Sequence, residues 1–342
     1  MRDSEKHETG AALLSVLLLV AFMSIAALAL MEVSLRGIQN AKAGDEQSRA
    51  LWQITGAEQA ALLRIGDLFE ATNGELGKAV AGLGQEASIS VDNLVVTARL
   101  EDAGNCFNLN ALVSDELDID DDFESEEEDD EEGQNIEFAS PETNYRQLLS
   151  LIGLREDQAD NATNALLDWT DADNITREGS AEDAYYRLLK SPYLTSGTQL
   201  AELSELRAIR GYNKKIIDQI SPLLCVHLGK EMSTLNINTL RPDQSALLSM
   251  VFSGDLAPQE ARDILLNRPD NGWMSVDEML EEPSIELIRP ENRQLGLLST
   301  QSRYVRLAGR VSGARQDIEF SSLYFVEDGF SPRLVSRKIG GV

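Results

Sequence analysis

The chain has 342 residues, of which 42% are hydrophobic, and it carries a formal charge of −28 at pH 7. A chain of this length is long enough for a membrane anchor and about two domains, each with its own core. Its acidity argues against a nucleic-acid partner or an anionic membrane surface, because binding to phosphate depends on Lys and Arg. The same acidity is compatible with divalent cations.

A short polar leader precedes one long uncharged segment. Residues 11–31 contain no charged side chain, and a helix of this length spans roughly 30 Å, the thickness of a bilayer core. The sequence therefore predicts a membrane helix. A secretory signal peptide usually has a shorter apolar region with the cleavage site behind it, whereas Gly10 stands in front of this one.

This leader resembles the leaders of type IV pilins and pseudopilins. The resemblance implies that a prepilin peptidase cuts between Gly10 and Ala11, and that the new N-terminal residue, Ala11, is methylated. Most members of that class have Glu at the fifth mature position, where this chain has Ser15. The departure is typical of one subfamily, the minor pseudopilin K of type II secretion.

The helical pattern continues beyond the membrane segment. Apolar residues recur at steps of three and four from Leu51 to Phe69, whereas Glu58 and Arg64 belong to the opposite, polar face. No Pro interrupts residues 11–69. The sequence therefore favours one continuous spine helix over an anchor joined to a separate surface helix.

Gly and Asn residues at 73–84 end this helix, and strand patterns follow in two distant places. Residues 89–100 contain alternating β-branched side chains and predict one or two strands. Residues 304–311, 317–326 and 334–339 predict an antiparallel meander. The predicted fold class is α+β: a pilin-like long N-terminal helix and a small antiparallel sheet, interrupted by a large insertion that is almost entirely helical.

Two segments within the insertion resemble each other. Residues 108–115 and 236–243 share spaced Asn residues, a Leu and an Asp. Asn side chains cap helices and bind turn backbone, so we interpret the match as a helix-start motif used twice.

The second copy, with residues 255–269 after it, resembles helix-hairpin-helix modules, which often bind the DNA backbone. Residues 236–293 contain 5 Arg and 11 acidic residues, and Asp255 lies in the hairpin itself. A surface of this charge repels a duplex. The sequence therefore favours a structural role for this element and no nucleic-acid partner.

Six carboxylates lie within the sixteen residues 168–183, between these two copies, in a stretch with no Lys and a single Arg. The spacing does not fit an EF-hand. Like charges at this density repel one another unless a hard cation or solvent separates them. The sequence therefore indicates either a calcium site or a solvated acidic loop that caps a helix at 184–190. The candidate ligands are Asp168, Asp171, Asp173, Glu182 and Asp183.

A denser acidic segment lies at residues 115–132, where 14 of 18 residues are Asp or Glu. Such a composition cannot bury a core and predicts a disordered, solvated loop at 115–138. Weak ion binding by this loop is the alternative.

Two Cys and two His residues limit the chemistry of the chain. Cys106 and Cys225 form either one disulfide, which an oxidising compartment permits, or two separate buried thiols. His7 lies in the leader, so His227 is the remaining imidazole, and no hydrolase, metalloprotease or nucleotide-binding spacing is present. The sequence predicts no enzymatic activity.

The Asp-Trp-x-Asp-x-Asp pattern at 168–173, the segment 181–186 and the leader with Ser15 together resemble the type II secretion minor pseudopilin K family from Gly10 to Gly340. With the patterns above, the resemblance implies a cleaved leader at 1–10, a membrane helix at 11–31 and a spine helix with the first strands at 32–107. A helix-hairpin-helix or SAM-like domain is inserted at 108–298, and a β-meander at 299–342 completes the head. The resemblance also implies calcium binding.

The same resemblance implies a function. We expect a subunit at the tip of the type II secretion pseudopilus, anchored in the inner membrane with its N-terminus in the cytoplasm and its head in the periplasm. The expected partners are the minor pseudopilins I and J, and we expect them to contact the helix face at 51–69. The secreted cargo and the secretin are further candidate partners. The alternative is a competence pseudopilin that takes up DNA through the helix-hairpin-helix element.

Overall fold

The computed structural model describes residues 5–77, 82–91, 93–113, 139–227, 229–313, 317–327 and 331–340, with side chains from residue 13 onward. The predicted acidic loop at 115–138 lies outside the described residues. The helices are α1 (Glu5–Thr72), α2 (Pro141–Leu151), α3 (Glu156–Thr170), α4 (Asp183–Tyr186), α5 (Lys214–Ile220), α6 (Ser245–Val251), α7 (Pro258–Leu266), α8 (Val276–Leu280) and α9 (Pro283–Glu286). The strands are β1 (Glu86–Val91), β2 (Leu94–Asp102), β3 (Phe107–Asn108), β4 (Leu224–Cys225), β5 (Leu235–Asn236), β6 (Leu298–Ser299), β7 (Tyr304–Ser312), β8 (Ile318–Val326) and β9 (Pro332–Ile339).

α1 is one uninterrupted helix that contains the whole uncharged segment, as predicted. By length and composition, its part Leu13–Thr72 contains a segment long and apolar enough to cross a membrane. The helix ends where Asn73 and Gly74 adopt left-handed backbone conformations, with φ of 52° and 79°. The Gly74 N–H then binds the Phe69 carbonyl at 3.0 Å, which satisfies the end of the helix.

A five-stranded antiparallel sheet packs against the second half of α1, in the order β1-β2-β7-β8-β9. Region 89–100 is part of the hairpin of β1 and β2, which turns at Asn93 with φ of 64°. The strands β7, β8 and β9 form the predicted meander. A long N-terminal helix, an antiparallel sheet and several further helices are therefore confirmed.

The sheet and α1 share one hydrophobic core. Ile54, Ile65 and Phe69 of α1 are buried against Val305 and Phe320 of the sheet. The apolar stripe at 51–69 thus packs largely against the protein's own sheet. The expectation that this stripe contacts partner subunits is wrong, because its buried residues are already covered.

Glu58 also departs from the polar face predicted for it, since the residue is only 1% exposed. Its carboxylate accepts hydrogen bonds from both Nε and Nη2 of Arg337, on β9, and from the Ser322 hydroxyl, on β8, at 2.6 Å. The Tyr324 hydroxyl donates to the Glu58 carbonyl at 3.2 Å. This carboxylate therefore ties the spine helix to the last two strands of the sheet.

Between β2 and β7 the chain folds around a second hydrophobic core, which extends from Phe107 to Leu298. Residues from each helix of the series α2 to α9 contribute to it. Among the described residues of this region, the remaining regular structure consists of short 3₁₀ turns and four two-residue strands. β3 pairs in parallel with β4, and β5 pairs in parallel with β6.

The two Asn-containing segments begin two copies of one arrangement. The Asn108 side chain accepts a hydrogen bond from the Asn110 N–H at 3.2 Å. The Asn236 side chain accepts one from the Asn238 N–H at 2.8 Å. Each copy opens on one short strand, β3 or β5, and closes on its parallel partner, β4 or β6.

In each copy the second Asn also holds a distant turn. Asn110 accepts a hydrogen bond from the Leu200 N–H at 2.8 Å and donates to the Leu200 carbonyl at 3.1 Å. Asn238 makes the same two bonds with Trp273, at 2.8 and 2.9 Å. The predicted helix-start motif is thus part of a larger internal repeat. Its first copy carries the acidic stretch 168–183, which begins in the last turn of α3 and precedes the Leu200 turn.

Candidate functional site

The acidic stretch forms a buried cluster of carboxylates. Asp168 lies near the end of α3, Asp171 follows that helix, and Glu182 directly precedes α4. One carboxylate oxygen from each residue lies within 4.8 Å of the others. The Asp168 side chain is fully buried, and Glu182 is 3% exposed. The ends of two helices therefore hold three acidic groups at the spacing of metal ligands.

Arg177 lies among these carboxylates. Its Nη1 donates hydrogen bonds to both Asp168 and Asp171, and its backbone N–H donates to Asp168 at 2.9 Å. Burial nevertheless raises the pKa of Asp171, against the effect of this guanidinium. Arg177 is the single Arg of the stretch 168–183, but nothing in the spacing places its side chain between the two aspartates.

Asp173 and Asp183 were predicted as ligands too, but they lie outside the cluster. Asp173 accepts a hydrogen bond from the Ile175 N–H at 2.5 Å and closes a local turn. Asp183 accepts hydrogen bonds from the N–H and hydroxyl of Thr195 at 2.9 and 3.1 Å, and it pairs with Arg187 at 2.8 Å. Because these bonds engage both side chains elsewhere, the structure brings together three of the five predicted ligands.

Several polar atoms around the cluster are buried without a hydrogen-bond partner. Of seven such side-chain atoms among the described residues, five belong to residues 169–182. Three of the five are carboxylate oxygens, one from Asp171 and both from Glu182. Burial and, secondarily, the charges of Asp168 and Asp171 raise the pKa of Glu182 to about 7. Buried carboxylate oxygens without donors are costly, so this donor set fits a hard cation such as calcium.

The loop between α3 and α4 is held in place by other contacts. Gly179 has φ of 76°, and a Cβ at this position would lie 1.5 Å from Oδ1 of Asn161, so glycine is required here. Arg210 donates from Nη1 to the Ser180 carbonyl at 2.7 Å. These contacts fix the backbone that presents the carboxylates.

Cys106 and Cys225 are joined by a disulfide bond, which links the chain after β2 to β4. His227 lies beside it, with Nε2 3.4 Å from the Cys106 Sγ and 3.2 Å from the Ala103 carbonyl oxygen. The two Cys residues and His227 have the proximity of metal ligands. Both sulfur atoms are engaged in the disulfide, however, so we do not regard this group as a metal site.

The hairpin between α6 and α7 does not offer its amides to phosphate. The N–H groups of Ser253, Gly254 and Asp255 bind the carbonyls of Met250, Ser249 and Phe252 at 3.0, 3.0 and 2.9 Å. The space beside Gly254 is occupied by the Gln147 side chain, whose Nε2 would lie 2.7 Å from an added Cβ. The hairpin therefore packs within the protein, as the acidity of its sequence suggested.

A different face of α1 is open to partners. Trp52 and Leu63 are 72% and 74% exposed, and they lie roughly three turns apart on the same side of the helix. Gly56 and Ala60 lie between them and line a groove beside β1. This face was missed from the sequence because the stronger apolar periodicity marks the side that packs on the sheet.

At the N-terminus, Gly10 and Ala11 are helical in backbone, and Ser15 lies in the apolar part of α1. Cleavage after Gly10 and methylation of Ala11 stay predictions.

Comparison with known proteins places the chain among secretion proteins. Two family models, both described as "Type II secretion system (T2SS), protein K", match residues 105–228 and 235–301. Type II secretion system protein K of Klebsiella pneumoniae is 32% identical over 282 residues, which cover 82% of this chain and 81% of that protein. Type II secretion system protein K of Pectobacterium carotovorum subsp. carotovorum is 28% identical over 339 residues, which cover 98% and 97%.

The fold also matches a solved structure, the crystal structure of the GspK-GspI-GspJ complex from the enterotoxigenic Escherichia coli type 2 secretion system. One of its chains is 21% identical to this one and matches it with a TM-score of 0.72, covering 89% of this chain and 100% of that chain. The long N-terminal helix on an antiparallel sheet defines the class, a protein with a pilin-like head and an apolar helix that fits a membrane anchor. Within that class, the chain belongs to the type II secretion system protein K family. This is a secretion family rather than a known enzyme family, and the DNA-uptake alternative is not supported.

Proposed function

We propose that this minor pseudopilin is the tip subunit of a type II secretion pseudopilus. α1 is its anchor in the inner membrane, with the N-terminus in the cytoplasm and the head in the periplasm. The disulfide between Cys106 and Cys225 supports this orientation, because disulfides persist in an oxidising compartment. Residues 108–298 form an inserted SAM-like domain on this proposal, in line with the second hydrophobic core and the two matched ranges.

The bulk of this helical part is the observation that carries the tip position. Its core is formed by residues that lie between β2 and β7 in the chain, and these two strands pair directly in the sheet of the head, so a subunit stacked above has to avoid it. Ser15 adds a second argument. In a pilus, Glu at this position neutralises the N-terminal amine of a neighbour within lipid, where an unpaired charge is costly. A subunit with no neighbour above it does not need that carboxylate.

Labelling assembled pseudopili with antibody against this chain tests the tip position. We expect label at one end only, both for the natural chain and for Ser15→Glu, because the head still excludes a subunit above. Label along the shaft, in either protein, contradicts the proposal.

The proposed partners are the minor pseudopilins I and J. The support is the solved GspK-GspI-GspJ complex, in which one chain has this fold, and the open face at Trp52 and Leu63. Large exposed apolar side chains on an otherwise packed helix are typical of interaction sites. The contact therefore lies on the side of α1 that faces away from the sheet.

The partner contact can be tested by co-purification of the full chain with both partners in detergent. We expect Leu63→Asp to abolish recovery of at least one partner, since it places a charge on the open face. Leu287→Asp is the matched control, because Leu287 is 87% exposed but lies in the helical part. Equal recovery with Leu63→Asp and the natural chain contradicts this assignment.

We further propose that Asp168, Asp171 and Glu182 hold a calcium ion. The support is the three buried carboxylate oxygens without donors. When bound, the ion neutralises these charges and links the end of α3 to the start of α4. The expected result is a more stable loop rather than any catalysis.

Calcium binding predicts a chelator-sensitive melting temperature. At a free calcium concentration of about 100 times Kd, binding stabilises a protein by about 2.7 kcal/mol, or roughly 5–10 °C for a domain of this size. We expect the full chain in detergent to melt at a temperature higher by this amount in calcium than in chelator. Glu182→Gln should lose this difference, whereas Asp173→Asn, outside the cluster, should keep it. An unchanged melting temperature in the natural chain rules out the site.

A further inference from the structure

The carboxylate cluster already contains a positive charge from the protein itself. Nη1 of Arg177 donates hydrogen bonds to one oxygen of Asp168 and one of Asp171. A hard cation in this cluster needs the same kind of oxygens. The guanidinium therefore engages two of the carboxylates that we assign to calcium.

The guanidinium does not satisfy every carboxylate oxygen of the cluster. Oδ1 of Asp171 and both oxygens of Glu182 are buried without a donor. With all three carboxylates ionised, one guanidinium leaves an excess of two negative charges. A divalent ion seated beside the guanidinium, however, is repelled by it at short range.

The Arg177 side chain reaches solvent, and the backbone of the loop is held by other contacts. This side chain is 32% exposed, so a route to solvent exists. The backbone is held separately, since the Arg177 N–H binds Asp168 at 2.9 Å and Asn164 donates to the Glu178 carbonyl at 3.0 Å. Movement of this side chain therefore breaks its two hydrogen bonds, to Asp168 and Asp171, but requires no change in the backbone.

We propose that Arg177 and a divalent cation are alternative occupants of the carboxylate cluster. Without the ion, the guanidinium neutralises Asp168 and Asp171 and keeps the loop folded. When the ion binds, the guanidinium moves out to solvent and releases its two oxygens. The inference rests on the proposed calcium site, and it assigns to Arg177 a part in setting the affinity of that site.

The affinity of calcium for the full chain in detergent, measured by isothermal titration, tests the exchange. We expect Arg177→Gln to tighten binding at least tenfold, about 1.4 kcal/mol, because the ion no longer displaces a competing charge. In chelator, the same variant should melt at a lower temperature than the natural chain. Arg187→Gln is the matched control: it removes an equal charge from an ion pair outside the cluster, and we expect less than a twofold change.

Equal or weaker calcium binding by Arg177→Gln, when the natural chain does bind, overturns the exchange and leaves the calcium site intact. An equal gain in the Arg187→Gln control also overturns it, since a general charge effect then explains the result. Absence of binding in both the natural chain and Arg177→Gln overturns the calcium site itself, and the exchange with it.

A second measurement needs no variant. Phenylglyoxal modifies accessible guanidinium groups, and mass spectrometry can follow its reaction with Arg177 and Arg187 in the natural chain. We expect saturating calcium to increase the modification of Arg177 several-fold and to leave Arg187 unchanged. If the modification of Arg177 by phenylglyoxal does not increase as calcium binds, the guanidinium is not displaced and the exchange is contradicted.

Discussion

Protonation of His227 should destabilise the junction between the sheet and the helical part. The residue is 3% exposed, stacks on Tyr304 with ring centroids 3.8 Å apart, and has an Nδ1 without a hydrogen-bond partner. Its Nε2–H donates to the Ala103 carbonyl at 3.2 Å. Burial, and in smaller part the charge of Arg306, lowers the pKa of this imidazole to about 4.

The direction of this pH dependence follows from the unfolded state, in which a His has a pKa of about 6.5. The lowered folded pKa means that the unfolded chain binds the proton more tightly. The stability that a neutral His227 contributes is therefore complete above about pH 6.5 and is lost progressively as the pH falls toward 4. Between pH 7 and pH 5 the loss amounts to about 2 kcal/mol at 1.36 kcal/mol per pKa unit.

Urea unfolding of the full chain in detergent at pH 7 and pH 5 measures this loss. Other groups also titrate in this range, so the informative quantity is the difference between the natural chain and His227→Gln. The Gln variant keeps a donor for the Ala103 carbonyl but does not titrate. We expect the natural chain to lose about 2 kcal/mol more than the variant over this interval. The same loss in both proteins would refute a buried neutral imidazole.

Two further predictions concern links between distant parts of the chain. Cys225→Ser should lower the free energy of unfolding by about 3–5 kcal/mol, as expected for a disulfide that closes a separation of 119 residues. A shift in the urea midpoint below that of the natural chain checks it, and no shift contradicts it. Arg337→Ala should lower the free energy of unfolding by about 3 kcal/mol, because it leaves the buried Glu58 carboxylate without its charged partner. Glu58→Ala should lower it by about 2 kcal/mol, because the Arg337 side chain that loses its partner is 42% exposed. Hydrogen exchange of the β8 and β9 amides measures both losses, and a larger loss in Glu58→Ala contradicts this order.

Local periodicity explains what could be predicted of the fold. The apolar run at 11–31 and the three- and four-residue steps up to Phe69 depend only on neighbours along the chain, and α1 follows them. The meander at the C-terminal end was equally evident from its alternation and turns. The burial of Glu58 was not predictable in this way, because its partner Arg337 lies far along the chain.

The candidate metal site was predictable in composition but not in detail. The density of acidic residues indicated a metal site at 168–183. The spacing of these residues, however, could not show that Glu182 belongs to the cluster and Asp183 does not. The structure separates them by their partners, since Thr195 and Arg187 engage Asp183 while Glu182 has no donor. Such partners are set by tertiary folding, which a local pattern does not contain.

The pairing of β2 with β7 has a consequence for the order of events during synthesis. Asp102 pairs with Val305, so the early strand is made long before its neighbour. Until β7, β8 and β9 leave the ribosome, the apolar side of α1 has only the first hairpin to cover it. The two helical repeats, complete by Ser299, bring the separated strands together. The apolar side of the spine helix is therefore fully covered only after β7, β8 and β9 have been made.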